Sequence, residues 1–250
     1  MDRKQDACCG AQTDGRRRSL LKSALGAATL GMTGGLSLTW TDIAEAAALS
    51  REQRDKLSPD DVIAMLKRGN ERFRSGKTQQ DYLAQKRASA NGQYPAAVIL
   101  GCIDSRAPAE IIFDAGIGDM FIARVAGNIA NDDLLGSLEF ACAVAGAKLV
   151  LVLGHTACGA IKGAIDHAQL GHLTGLLDKI KPAVDATRFD GERVSKNDAF
   201  VDAVAKTNVL QTAEAIRRGS EVLAGLEKGG KLKIAGAMYH LVGGHVEFYG

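Results

Sequence analysis

The chain has 250 residues, enough for one well-buried domain or two small ones, and it combines few aromatics (5 %) with 29 glycines and many aliphatic side chains. That balance suits an α/β protein with tight strand-to-helix turns. The formal net charge of +2 is spread along the chain, which argues against nucleic acid as a partner.

The N-terminal segment differs from the rest. Arg16–Arg18 form a basic cluster before a moderately apolar, Gly- and Ala-rich stretch, and small-x-small sites follow at Ala44-x-Ala46 and Ala46-x-Ala48. This is the layout of a signal peptide. Arg17-Arg18-Ser19-Leu20-Leu21-Lys22 resembles the twin-arginine export signal, including its trailing lysine. A membrane anchor with a basic flank is the competing reading, but Gly26, Gly31, Gly34 and Gly35 make a poor spanning helix. Residues 1–46 are therefore read as a leader cleaved near Ala46 or Ala48. The expected protein passes through the twin-arginine machinery to the periplasm, or outside the cytoplasm of a single-membrane organism, and keeps no stable membrane anchor. Cleavage removes Cys8 and Cys9 and leaves Cys102, Cys142 and Cys158, too sparse and odd a set for a disulfide framework.

Residues 58–250 read as a single domain. Ser58 is placed as an N-cap, with Pro59 at the first helical position and acids in the first turn. Val62, Met65, Leu66 and Phe73 form an apolar stripe at helical spacing, Gly76 ends that helix, and a second polar helix runs through Tyr82 to Ala90. "AAVIL" reads as a buried strand, "PAEIIFDAG" as a short helix, "DMFIARVAG" as a second strand and "NDDLLGSLEFACAVAG" as a helix. "AKLVLVLG" is continuously aliphatic, as a central parallel strand buried on both faces should be. Helices are expected from within "HTACGAIKGAIDHA", through "LTGLLDKIKPAVDA" and over most of Asp198 to Lys228. "KLKIAGAMYHLVGGHVEFYG" reads as a strand, a turn at Gly243-Gly244 and a last strand. The fold class is α/β: a mainly parallel central sheet flanked by helices, with an N-terminal helical arm and a C-terminal antiparallel hairpin.

Two polar strand ends stand out. "GCIDSR" places Cys102, Asp104 and Arg106 at alternate positions, which share one face if the chain stays extended. On its own this reads as a buried cysteine followed by a surface ion pair. "GHTACG" places His155 and Cys158 three apart, on one face if a helix begins there, with Cys158 near a helix N-terminus that favours thiolate. Ligands of open parallel sheets collect beyond the carboxyl ends of strands, so both loops can present their donors to one point. Two thiolates and an imidazole form a nitrogen-and-sulfur set suited to tetrahedral Zn²⁺. Asp104 can serve either as a fourth ligand or as the partner of Arg106.

"CIDSR" with "GHTACG" resembles the signature of the β-class carbonic anhydrases, and the likeness extends through "IAMLKRGNERFRSGK", "DMFIARVAGNI", "GSLEFA", "LTGLLDKIKPAV" and the closing hairpin. The resemblance implies one zinc ion per chain on Cys102, His155 and Cys158. It implies that zinc-bound hydroxide attacks carbon dioxide to give bicarbonate, while Asp104, paired with Arg106, orients that hydroxide. Two thiolates cancel the formal charge of the metal, so its water should be less acidic than on a three-histidine site. A homodimer or homotetramer is expected, with the stripe from Val62 to Phe73 offered to a neighbouring subunit.

Some positions depart from the family pattern. Ala115 stands where members often carry a glutamine that donates to substrate, and Ile99 replaces the tryptophan of a bicarbonate-inhibition site. Arg124 matches the arginine of that site and is read as serving packing or an interface. His167, His172, His240 and His245 are assigned surface or structural roles, and Cys142 a place in the core. The alternatives are a non-catalytic zinc-binding relative, a hydrolase of a related heterocumulene such as carbon disulfide, and, least supported, a nucleotide-binding oxidoreductase. "GHTACGAIKG" lacks the glycine spacing that the last would need.

Overall fold

A computed structural model describes residues 49–249; the leader read over residues 1–46 lies outside them. Ser50 and Ser58 each close a capping box, starting α1 (Arg51–Lys56) and α2 (Pro59–Ser75). α1 was not anticipated from the sequence. Gly76, at φ 67°, ends α2, and α3 (Tyr82–Ser89) completes the helical arm.

The remaining elements alternate in the expected order: β1 (Ala97–Gly101), α4 (Ala109–Ile112), β2 (Met120–Arg124), α5 (Asp132–Glu139) and β3 (Leu149–His155). After these come α6 (Gly159–Ile165), α7 (Gly171–Asp178), α8 (Lys181–Ala186), α9 (Asp198–Gly219), α10 (Glu221–Lys228), β4 (Lys233–Tyr239) and β5 (Val246–Tyr249). A short 3₁₀ turn, Ala126–Asn128, follows β2, and α5 ends in a π turn over Phe140–Val144. The stretch from Asp198 to Lys228, expected to be largely helical, is so, as two helices divided at Ser220. The Ser220 hydroxyl accepts from Leu223 N–H to cap α10 and donates to Glu139 at 2.5 Å.

The strands form one sheet in the order β2-β1-β3-β4-β5, parallel throughout except for the β4–β5 pair. β3 is buried along its whole length, which explains its unbroken aliphatic run. Alternation along the strands separates two cores. Val98, Leu100, Val150 and Val152 pack with Phe200, Val204 and Val209 of α9. Ile99, Leu149 and Leu151 pack on the other face with Val62 and Leu66 of α2 and with Phe113.

That second core corrects one expectation. Val62 and Leu66 are buried within their own chain, so the stripe read as a face for a neighbouring subunit is used internally. Contact is close enough that a Cβ on Gly69 would lie 1.8 Å from the Phe113 carbonyl oxygen. Buried Asn70 completes the join: its amide donates to the carbonyls of Ile112 (3.1 Å) and Gly244 (2.9 Å), and its oxygen accepts from Val246 N–H (3.0 Å). Among the described residues no helix is long and apolar enough to cross a membrane.

Candidate metal centre

β1 and β3 are neighbours, but β1 is followed by a strand on one side of the pair and β3 by a strand on the other. Their outgoing loops therefore diverge and leave a crevice at the carboxyl ends of the strands. Gly101 lies opposite Leu153 in the register, so Cys102, just past β1, comes out beside the end of β3, where His155 is the last strand residue. His155 is thus not on a helix, and the helical-face argument from its spacing to Cys158 does not hold. Ala157 adopts a left-handed φ of 53° and turns the chain, which puts Cys158 at the N-cap position of α6. Asp202 of α9 holds this turn by accepting from Ala157 N–H at 2.9 Å.

The ligand atoms of Cys102, His155 and Cys158 all lie within 4.8 Å of one another, and all three residues are buried. The sulfurs are 3.9 Å apart. His155 Nδ1 is 2.9 Å from the Thr156 carbonyl oxygen, which can only accept, so the proton sits on Nδ1 and Nε2 carries the lone pair. Thr156 is itself fixed: its N–H donates to Tyr239 O (3.0 Å), and its hydroxyl accepts from Leu241 N–H (3.0 Å). Buried Nε2 has no hydrogen-bond partner in the protein. An inward-pointing nitrogen lone pair beside two thiols fits a soft cation.

Asp104 and Arg106 are brought together by a turn. β1 stops at Gly101, so strand alternation does not account for their meeting. Arg106 N–H donates to Asp104 Oδ1 at 2.9 Å, and the guanidinium grips both carboxylate oxygens from Nε (2.9 Å) and a terminal nitrogen (2.8 Å). Asp104 Oδ2 lies 3.9 Å from His155 Nε2, which places the carboxylate at the edge of the donor cluster. Arg106 holds the Asp104 carboxyl well below the usual carboxylate range, against some desolvation.

Arg124 has a role its sequence did not show. From the end of β2 it donates to the carbonyls of Cys102 (2.7 Å) and Asp104 (2.5 Å), bridging the loop that carries both groups. Gly127 N–H points at Cys102 Sγ, 3.4 Å away.

The two thiols titrate as a pair. The hydrogen bond from Cys158 pulls Cys102 down to about 4, outweighing burial, with help from His155 and the Asp104 and Gly127 amides. The same pairing, together with burial, pushes Cys158 up, so the first proton leaves easily and the second is held. Burial disfavours a charge on His155, but the neighbouring Cys102 thiolate outweighs it and raises its pKa.

The sequence profile of the carbonic anhydrase family matches residues 97–246, from β1 to the start of β5, and so spans both loops of this centre. The chain is 39% identical over 183 residues to carbonic anhydrase 2 of Mycobacterium tuberculosis, covering 70% of this chain and 86% of that protein. The chain belongs to the β-class carbonic anhydrase family. The carbonic anhydrase of Mycolicibacterium smegmatis is 36% identical over 189 residues, 73% of this chain and 89% of the relative. Among solved structures, a tetrameric β-carbonic anhydrase of Sordaria macrospora superposes with a TM-score of 0.57 at 25% identity, covering 64% of this chain and 83% of that one. The β-carbonic anhydrase CafA of Aspergillus fumigatus gives 0.60 at 24% identity, over 76% and 89% of the two chains, and shares the fold.

The centre of this family member brings together Cys102, Asp104, Arg106, His155 and Cys158. The other residues singled out in the sequence lie elsewhere. Ala115 borders a small cavity of about 70 Å³ with Val62, Leu66, Gln80 and Asp114, and neither the thiols, His155 nor Asp104 lines it. Ile99 is fully buried under α2. His240 and His245 stack with ring centroids 3.9 Å apart in the β4–β5 turn, while His167 and His172 are exposed. Cys142 is a buried core residue of the π turn.

Proposed function

We propose that this chain holds one zinc ion on Cys102, His155 and Cys158 and hydrates carbon dioxide reversibly to bicarbonate and a proton. The observation that carries the reading is the orphaned Nε2 of His155, buried within 4.8 Å of both sulfurs. A buried polar atom without a partner costs about 1–3 kcal/mol, a cost that a bound cation removes. Zinc, when bound, supplies a Lewis acid that makes water nucleophilic near neutral pH.

The chain's own residues do the rest. Thr156 fixes the His155 tautomer and keeps Nε2 available. Asp104, ionised and held by Arg106, accepts a hydrogen bond from the attacking water and aims its lone pair at the carbon of carbon dioxide. The new C–O bond forms as the water gives up a proton to solvent. Arg124 holds both ends of the Cys102–Asp104 loop, so the carboxylate and the first thiol keep their separation.

The active form is read as a homodimer or homotetramer. The solved Sordaria macrospora relatives are tetrameric, and Leu83, Ile103 and Ile111 expose apolar surface that an assembly can cover. Export through the twin-arginine route rests on Arg16–Arg18 and the following leader.

Metal analysis with stopped-flow hydration of carbon dioxide tests the central reading. About one zinc per chain and rapid hydration are expected. Stoichiometric zinc without hydration would leave a zinc-binding relative, and turnover of carbon disulfide alone would move the substrate assignment. Replacing Arg16–Arg18 by lysine should leave uncleaved precursor in the cytoplasm; unchanged processing near Ala46 would end the export proposal. A stable, active monomer in sedimentation would end the oligomer proposal.

A further inference from the structure

The Cys102 sulfur receives a backbone hydrogen bond whose source is fixed by a helix packed on the same face of the sheet. The donor, Gly127 N–H, belongs to the 3₁₀ turn after β2 and sits 3.4 Å from Sγ. Gly127 holds φ 69° and ψ 16°, and a Cβ there would lie 2.5 Å from Ile180 Cδ1, so the position requires glycine on two counts. A peptide at such a site can rotate unless its carbonyl is also held. The carbonyl of Gly127 accepts from the Asn208 side-chain amide at 2.8 Å. Asn208 projects from the middle of α9, is buried, and lies 81 residues away in sequence. One side chain thus fixes one end of the peptide unit that follows Gly127, and the turn it anchors presents the Gly127 N–H to sulfur.

We propose that Asn208 is a positioning residue for the metal centre, acting through the Gly127 turn to set the donor strength of the Cys102 thiolate. The inference rests on Cys102 being a metal ligand. An N–H donor on a thiolate withdraws electron density from sulfur, so the sulfur gives less charge to the metal and the metal stays more electrophilic. Without Asn208, the buried Gly127 carbonyl loses its partner and the turn relaxes, weakening the N–H···S contact. Asn208 touches neither the donor cluster nor Asp104, which separates its role from those of the ligands.

Cobalt(II) in place of zinc makes the thiolate visible through its charge-transfer absorption. The test compares wild type, Asn208→Asp and Thr212→Val, the last a buried change one turn along α9 that serves as a packing control. Asn208→Asp keeps the shape and removes the donor. Its thiolate-to-cobalt band should move to longer wavelength, and release of the metal to a chromophoric chelator should quicken about tenfold, because the loosened turn outweighs the stronger sulfur donation. Thr212→Val should leave both unchanged even if its melting temperature falls. Should Asn208→Asp fail to fold, Asn208→Ser, which leaves room for water on the Gly127 carbonyl, carries the same comparison. A folded Asn208 variant with the wild-type band and release rate would reduce Asn208 to a packing role. A wild-type protein showing no thiolate-to-cobalt band would overturn the ligand assignment itself, a different failure.

Discussion

Two buried cysteine environments in this chain behave in opposite ways. Cys102 and Cys142 have nearly the same exposure, 4% and 5%, yet the first thiol is pulled down to about 4 and the second pushed up to about 12. Burial acts on both in the same direction, against charge. What separates them is company. Cys142 sits on an apolar helix turn with only desolvation acting on it, whereas Cys102 has the Cys158 thiol, His155 and two backbone amides to stabilise a thiolate. A buried cysteine gains thiolate character, and with it the capacity to hold a metal, when strand ends converge on it, and stays a small hydrophobe when they do not.

The comparison is broken most severely at Cys158. Cys158→Ser replaces a soft anionic donor by a poor one and should lose most of the zinc, and activity with it. The expected fall in affinity exceeds the ~10–100-fold typical of losing a supporting residue. Full metal content in the purified variant would remove Cys158 from the site. Arg106→Ala comes next: zinc should stay near one per chain while hydration falls on the order of 10²–10³-fold, as Asp104 loses its holder and turns to the metal. Arg106 lowers the Asp104 pKa, so removing it raises that pKa toward ordinary carboxylate values. In the metal-free protein Asp104 of the variant should therefore protonate at higher pH than in wild type, which titration of its carboxyl by NMR checks.

Arg124→Ala should cost less, about tenfold in metal affinity measured by competition with a chelator, because the loop keeps its ligands and loses only its bridge. Arg124→Lys should restore little, since a point ammonium cannot span two carbonyls as a guanidinium does. The smallest effect sharpens the contrast from the other side. Cys142→Ala should lower stability by about 1 kcal/mol in denaturant titration and leave zinc content unchanged. After chelation, a thiol reagent at neutral pH should label Cys102 ahead of Cys142.

The outline of the fold was legible because its signals are local. The aliphatic run of β3, the serine cap before Pro59 and the glycine after Ser75 act over a few residues, and each appears where the sequence implies. The breaks were harder to read. Ser220 interrupts a continuous helical pattern because its hydroxyl is engaged by Leu223 N–H and Glu139, the latter far away in sequence. Arg124 is similar: the parallel register sets it opposite Gly101, and only that pairing brings its guanidinium over the carbonyls of Cys102 and Asp104.

The sequence by itself determined the chemistry on offer. Two cysteines and a histidine beyond two aliphatic strands, with an aspartate and an arginine beside one of them, already specify a soft-metal donor set and an ionised carboxylate. Tertiary structure decided how these groups meet. Strand order set β1 beside β3, and a left-handed Ala157 turned Cys158 back toward His155. The Thr156 carbonyl left Nε2 bare, and a turn, rather than strand alternation, joined Asp104 to Arg106. It also spent Val62 and Leu66 on the chain's own sheet. The physical reason is range: propensity and periodicity are written residue by residue, whereas register, tautomer and the partner of a buried atom depend on segments far apart in the chain.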